Sequence, residues 1–114
     1  MQSSGILCGA ATVLAVFMLP CAALAAEATP TLTIHAQAFQ PGSITIAAGQ
    51  RTKIVVDNKD ALPAEFESND FSVEQVIPGG TALPVYIPPL KPGSYTFFND
   101  FHPSSTGTLI VRAR

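Results

Sequence analysis

The side chains able to do chemistry in this chain are two imidazoles and a set of carboxylates. His102 stands in the run Asn99-Asp100-Phe101-His102-Pro103, between two segments with strand character. An imidazole in a loop fixed by a following proline can present Nδ1 or Nε2 to a metal ion. Asp100 lies two residues earlier. Such an Asp can give an oxygen to the same ion, orient the imidazole from behind, or serve as an Asx-type turn residue after the strand. Glu65 and Glu67 flank Phe66. Residues two apart on a strand share a face, about 7 Å from each other, so an inward Phe66 turns both carboxylates outward. His35 falls on the outer face of the first strand, where a histidine reads as a surface residue before it reads as a ligand. No Ser-His-Asp, P-loop or His-Glu-x-x-His arrangement is present, so acyl and phosphoryl transfer have no support.

Sulfur is absent where it would matter. Ile6 to Leu19 is an almost wholly apolar run of 14 residues, followed by Pro20 and the small residues around Ala23-Leu24-Ala25. That length and ending fit a signal-peptide h-region better than a membrane span. Residues 1–25 are therefore expected to be a cleaved leader and 26–114 the domain, with cleavage after Ala25 or Ala26. The n-region MQSSG lacks Lys and Arg, which leaves a retained N-terminal anchor as the alternative. Cys8, Cys21, Met1 and Met18, the only sulfur-bearing residues, all lie in the leader. A chain without it has no disulfide to brace it, and no thiolate or thioether for a metal.

The remaining stretch of about 88 residues is near the size where a single core becomes marginal. Its charges are six basic and eight acidic, net −2, and the basic residues are scattered along the sequence. That argues against a nucleic-acid surface, which needs clustered positive charge. Alternating apolar and polar residues predict strands over 31–36, 43–48, 52–58, 63–70, 93–98 and from about 107 to the end. A proline-bearing edge strand is expected at 83–90, and 71–76 is either strand or irregular. Turn signals fall at Gln40-Pro41-Gly42, Pro78-Gly79-Gly80 and Lys91-Pro92-Gly93, and Asn99 to Ser105 reads as a loop. Seven or eight short strands at this spacing favour an all-β sandwich or barrel.

The last hairpin, Gly93-Ser-Tyr95-Thr-Phe97-Phe-Asn99-Asp-Phe-His102-Pro followed by Gly107-Thr-Leu-Ile-Val111, resembles that of the cupredoxins. The first hairpin, Phe39-x-Pro41-x-x-Ile44-x-Ile46-x-Ala48-Gly49, is similar too. The runs Ala64-Glu-Phe-Glu-Ser68, Val76-Ile-Pro-Gly-Gly80, Leu90-Lys-Pro-Gly-Ser-Tyr95 and Phe97-Phe-x-Asp-Phe-His-Pro103 look like those of periplasmic cupredoxin-like proteins that accompany bacterial high-affinity iron permeases. The resemblance implies a Greek-key β-sandwich. It places Asn99 where a blue-copper cysteine would stand, Ser105 or Thr106 at the axial methionine, and His102 at a surviving ligand position. Three of the four ligands of a blue centre are thus missing or replaced, which excludes type 1 copper. It also places Glu65 in the region of the first histidine ligand.

The expectation is a periplasmic protein that binds copper and/or iron through His102, Glu65, Asp100, Glu67 and His35. Its partners would be the metal ion and a membrane iron permease or other periplasmic iron-uptake components, with ferrous iron oxidised or only carried. No self-sufficient catalytic site is visible, and one small domain is too little for a multicopper oxidase. A metal-free adaptor that docks on an envelope partner is the alternative. Intact-mass measurement of the protein from the periplasmic fraction should give a chain beginning at Ala26 or Glu27. A mass that includes residues 1–25 would establish the anchor instead.

Overall fold

The computed structural model describes residues 9, 11–18 and 28–114. The expected cleavage position lies outside the described residues, as do parts of the apolar run before it. Among the described residues no helix is long and apolar enough to cross a membrane. From residue 31 the chain is all β. The strands are β1 (Thr31–His35), β2 (Ala38–Gln40), β3 (Ser43–Ala47), β4 (Thr52–Asn58), β5 (Ala64–Ser68), β6 (Val73–Ile77), β7 (Ala82–Ile87), β8 (Gly93–Asn99) and β9 (His102–Arg112). They form a four-stranded sheet, β2-β1-β4-β7, and a five-stranded sheet, β3-β9-β8-β5-β6. Two pairings are parallel, β1 with β4 and β3 with β9.

Period-2 patterning builds the core, because alternate side chains of each strand point between the sheets. Leu32 and Ile34, Ile44 and Ile46, Ile54 and Val56, Val85 and Ile87, Leu109 and Val111 are all buried in this way. Phe66 and Phe97 are fully buried at the centre, with ring centroids 5.1 Å apart. Phe39 meets Phe97 edge-on at 5.0 Å, the arrangement that aromatic quadrupoles favour. The proline-bearing β7 pairs only with β4 and is an edge strand, as its composition requires.

The structure has nine strands among the described residues rather than seven or eight. The addition is β2, three residues paired with β1 through Ile34 and Phe39. The first strand also ends a residue earlier than its alternation suggests. Ala36 and Gln37 form a two-residue turn with φ of 48° and 63°, the left-handed pair that suits a tight hairpin. The Asp60 carboxylate fixes it, accepting from Ala36 N–H and Gln37 N–H at 2.8 Å each.

The expected loop over Asn99 to Ser105 is likewise shorter. Only Asp100 and Phe101 turn the chain, and His102 already pairs with Asn99 on β9. The next pair is Phe98 with Thr106, so residues 103–105 bulge out of register. The bulge leaves Gly107 opposite Phe97. A Cβ at Gly107 would lie 2.3 Å from the Phe97 ring, which is fully buried and has no room to shift. Gly107→Ala should therefore cost about 2–3 kcal/mol by overpacking, read as a lower urea midpoint. Gly42→Ala, where a Cβ would meet nothing within 4 Å, should cost under about 1 kcal/mol.

Candidate metal centre

Two groups of functional side chains lie near the turn between β8 and β9, and one asparagine organises both. Asn99 is buried, 4% exposed. Its Oδ1 accepts from Glu65 N–H at 2.9 Å and from Phe101 N–H at 3.1 Å. Asp100 N–H then donates to Glu65 O at 3.0 Å. The start of β5 is thereby laced to the turn. Alternation along β5 sends Ala64 and Phe66 inward and Glu65 and Glu67 to the outer face of the five-stranded sheet.

The first group sits on that outer face. Oxygen atoms of Glu65, Glu67 and Asp100 lie within 4.8 Å of one another. Glu65 is only 7% exposed, and its Oε1 is buried with no hydrogen-bond partner. Glu74 joins them from β6, where it pairs with Glu67. The Glu65 carboxyl is pushed up to about 7, first by a hydrogen bond with Glu74, which requires a proton between the two carboxylates. Burial and repulsion from Glu74, Asp100 and Glu67 raise it further. Glu67 is also raised, by burial and by repulsion from Asp100 and Glu74. Three or four carboxylates with no cation among them repel one another, and a bound metal ion would reverse that field.

The second group lies on the other side of β5. His102 lines a cavity of about 650 Å³ together with Ala64, Asn99, Asn58, Asp60 and Phe101. Ser105 Oγ donates to Gln37 O, so its oxygen is left to accept from His102 Nδ1 at 2.8 Å. Ser104 Oγ lies 3.2 Å from the same nitrogen, so both hydroxyls meet Nδ1 and Nε2 is the nitrogen left to face a metal. Asn58, fully buried, closes the cavity floor by donating to Leu62 O at 2.9 Å and Ile77 O at 3.1 Å.

Of the residues expected to form one site, the structure brings Glu65, Glu67 and Asp100 together, and neither His102 nor His35 is part of that group. His35 is exposed at the end of β1. The residue of β5 that faces the His102 cavity is Ala64, not Glu65. Glu74 is not among the ligands expected from the sequence. The signal that could have found it is the register of β5 with β6, which places it across from Glu67.

The Cupredoxin-like domain profile matches residues 8–111. The chain belongs to the cupredoxin-like family. An uncharacterized protein of Rickettsia prowazekii (strain Madrid E) is 29% identical over 80 residues. The alignment covers 70% of this chain and 64% of that protein, so the chain spans somewhat under two thirds of the relative's length. Amicyanin from Paracoccus versutus shares the fold at a TM-score of 0.62 and 19% identity, over 76% of this chain and 84% of that one. A purple cupredoxin from Nitrosopumilus maritimus does so at 0.57 and 19%, over 73% and 99%. A reduced Cu(I) form of an amicyanin variant matches at 0.62 and 13%, over 76% and 85%. The cupredoxin-like fold is that of metal-binding and electron-transfer proteins.

The carboxylate group sets a pH dependence on the cupredoxin-like domain. Glu65 holds its proton up to about 7 when folded, against an ordinary value of 4.5. Between those values the folded state binds more protons than the unfolded one, so stability falls as pH rises through this window. Chelator-treated protein should show a lower urea midpoint at pH 8 than at pH 5. Glu65→Gln should flatten that difference. A midpoint that rises over the same interval in the wild type would contradict the assignment.

Proposed function

We propose that this cupredoxin-like protein binds iron or copper in the periplasm as part of a bacterial iron-uptake system, and passes iron to a membrane permease or its associated components. The observation that carries the reading is that carboxylate oxygens of Glu65, Glu67 and Asp100 lie within 4.8 Å of one another, and that Glu65 Oε1 is buried without a hydrogen-bond partner. A buried, unpaired charged group is costly unless a cation or proton accompanies it. Oxygen donors of this kind suit a hard cation, and carboxylate sets hold iron in other folds. His102, with Nε2 free, is a separate borderline donor suited to copper. A bound Cu(II) ion would supply a one-electron acceptor for ferrous iron, giving Cu(I) and ferric iron.

A type 1 blue centre does not fit these residues. Asn99 stands where the thiolate would be and its oxygen is already held by two backbone amides. Ser105 has its hydroxyl bonded to Gln37, and residues 28–114 contain no Cys or Met. The resemblance of the Ala64–Ser68, Val76–Gly80 and Phe97–Pro103 runs to proteins that accompany iron permeases supports the pathway. The adaptor reading is supported by Leu62 and Phe101, which are 67% and 52% exposed beside the His102 cavity.

Calorimetric titration of the metal-free protein with Fe(II) under anaerobic conditions, and separately with Cu(II), tests the proposal. Glu65→Gln should weaken iron binding at least about tenfold, near 1.4 kcal/mol. His102→Ala should weaken Cu(II) by a similar factor and leave iron within about threefold. Iron affinity should fall as pH drops through about 7, because Glu65 must lose its proton to bind. A wild-type protein that takes up neither metal would leave the adaptor reading in place.

A further inference from the structure

The end of the sandwich away from His102 carries its own pattern of charge. Arg51 and Lys53 open β4, and Arg112 and Arg114 close the chain. Dispersed in sequence, they are gathered in space. The parallel pairing of β3 with β9 sets Ala47 beside Arg112, and the turn after β3 leads directly to Arg51. All four line one cavity of about 550 Å³, and no acidic residue is among its lining. Arg51 is held over the Tyr86 ring at 4.1 Å, and Arg114 donates to Gln50 Oε1. By contrast Asp60, Glu65, Glu67, Glu74 and Asp100 lie around the His102 end. The two ends are separated by the length of β9, about 30 Å for a strand of this extent. A domain with net charge −2 is thus polarised end to end.

A second observation points to what this end meets. Ala28, Thr29 and Pro30 line the same cavity, so the chain enters the domain here. The apolar run ends at Leu19, and nine residues of chain reach at most about 30 Å. An apolar segment inserted in a bilayer would therefore keep the basic end within about 30 Å of it. Cleavage at the expected position would leave a new α-amino group at the same end, offsetting the charge of Glu27.

We infer that the Arg51, Lys53, Arg112 and Arg114 end docks on an anionic phospholipid surface, with the His102 end turned away from it. Phosphate headgroups match a cavity lined by four cationic and no acidic side chains, and each Lys or Arg near an anionic bilayer adds attraction that salt screens. This orientation would leave the carboxylate group and His102 open to the surrounding solution.

Co-sedimentation of the purified protein with vesicles tests the inference. Binding to 3:1 phosphatidylcholine:phosphatidylglycerol should exceed binding to pure phosphatidylcholine by at least about tenfold at low salt, and lose that excess at high salt. Any apolar insertion by residues 6–19 contributes equally to both vesicles and drops out of the ratio. The quadruple variant Arg51→Gln, Lys53→Gln, Arg112→Gln, Arg114→Gln should abolish the excess while keeping the circular dichroism spectrum, and Lys59→Gln should keep the excess. Equal binding to the two vesicles would overturn the inference. So would an excess that survives in the quadruple variant, or one removed by millimolar inorganic phosphate at constant ionic strength, which would mark a small-anion pocket. Salt-sensitive self-association in place of vesicle binding would overturn it in favour of head-to-tail contact between copies.

Discussion

The side-chain oxygen of Asn99 holds two backbone amides at once, those of Glu65 and Phe101, and the chemistry at this end of the fold depends on it. One bond ties β5 to β8, and the other closes the turn that delivers His102. Buried hydrogen bonds of this kind are costly to leave unmade, because the freed amide and carbonyl lose water without gaining a partner. The same side chain therefore sets the positions of two donor groups that face opposite sides of β5. On the outer side it registers Glu65 against Asp100, and on the inner side it sets Ala64 and His102 around the cavity. Asn99, which the sequence resemblance places at a cupredoxin ligand position, has its side chain committed to holding backbone.

That substitution redistributes the polar chemistry. The carboxylates of Glu65, Glu67, Asp100 and Glu74 are brought close by strand register, which like charges oppose and a cation favours. The burial of Glu65 intensifies the conflict, since water screens it poorly. The result is a charged, undersatisfied group on the outer face of β5, away from the side that holds His102. The His102 imidazole stands just after the β8–β9 turn, its Nδ1 held by Ser105 and Ser104.

Much of this was legible in the sequence, and the rest was not for identifiable reasons. The alternation in Thr31–His35, Ser43–Ala47 and Thr52–Asn58 marks strands with one inward face, and those strands form. The outward direction of Glu65 and Glu67 follows from Phe66 alone. What local pattern does not encode is register between distant strands. The meeting of Glu67 with Glu74, the assembly of Arg51 with Arg112, and the separation of His102 from the carboxylates all arise from pairings across long stretches of chain. The turn after β8 was hidden for a related reason. Nothing near Asn99 in sequence reveals that its amide oxygen will accept from β5, and without that bond a loop of several residues is the natural reading.

The place of β9 in the sheet has a consequence for how the protein comes into being. This last strand lies between β3 and β8, and its first partner, Ser43, is 65 positions before Thr108. Without residues 102–112, β3 has no neighbour among the described strands, the five-stranded sheet is split, and the core around Ile44, Ile46 and Phe97 lacks Leu109 and Val111. Contacts so distant in sequence form late and slowly. The core over residues 31–112 therefore closes only when β9 has joined β3 to β8, which makes its assembly one late event rather than a growth outward from the first strands.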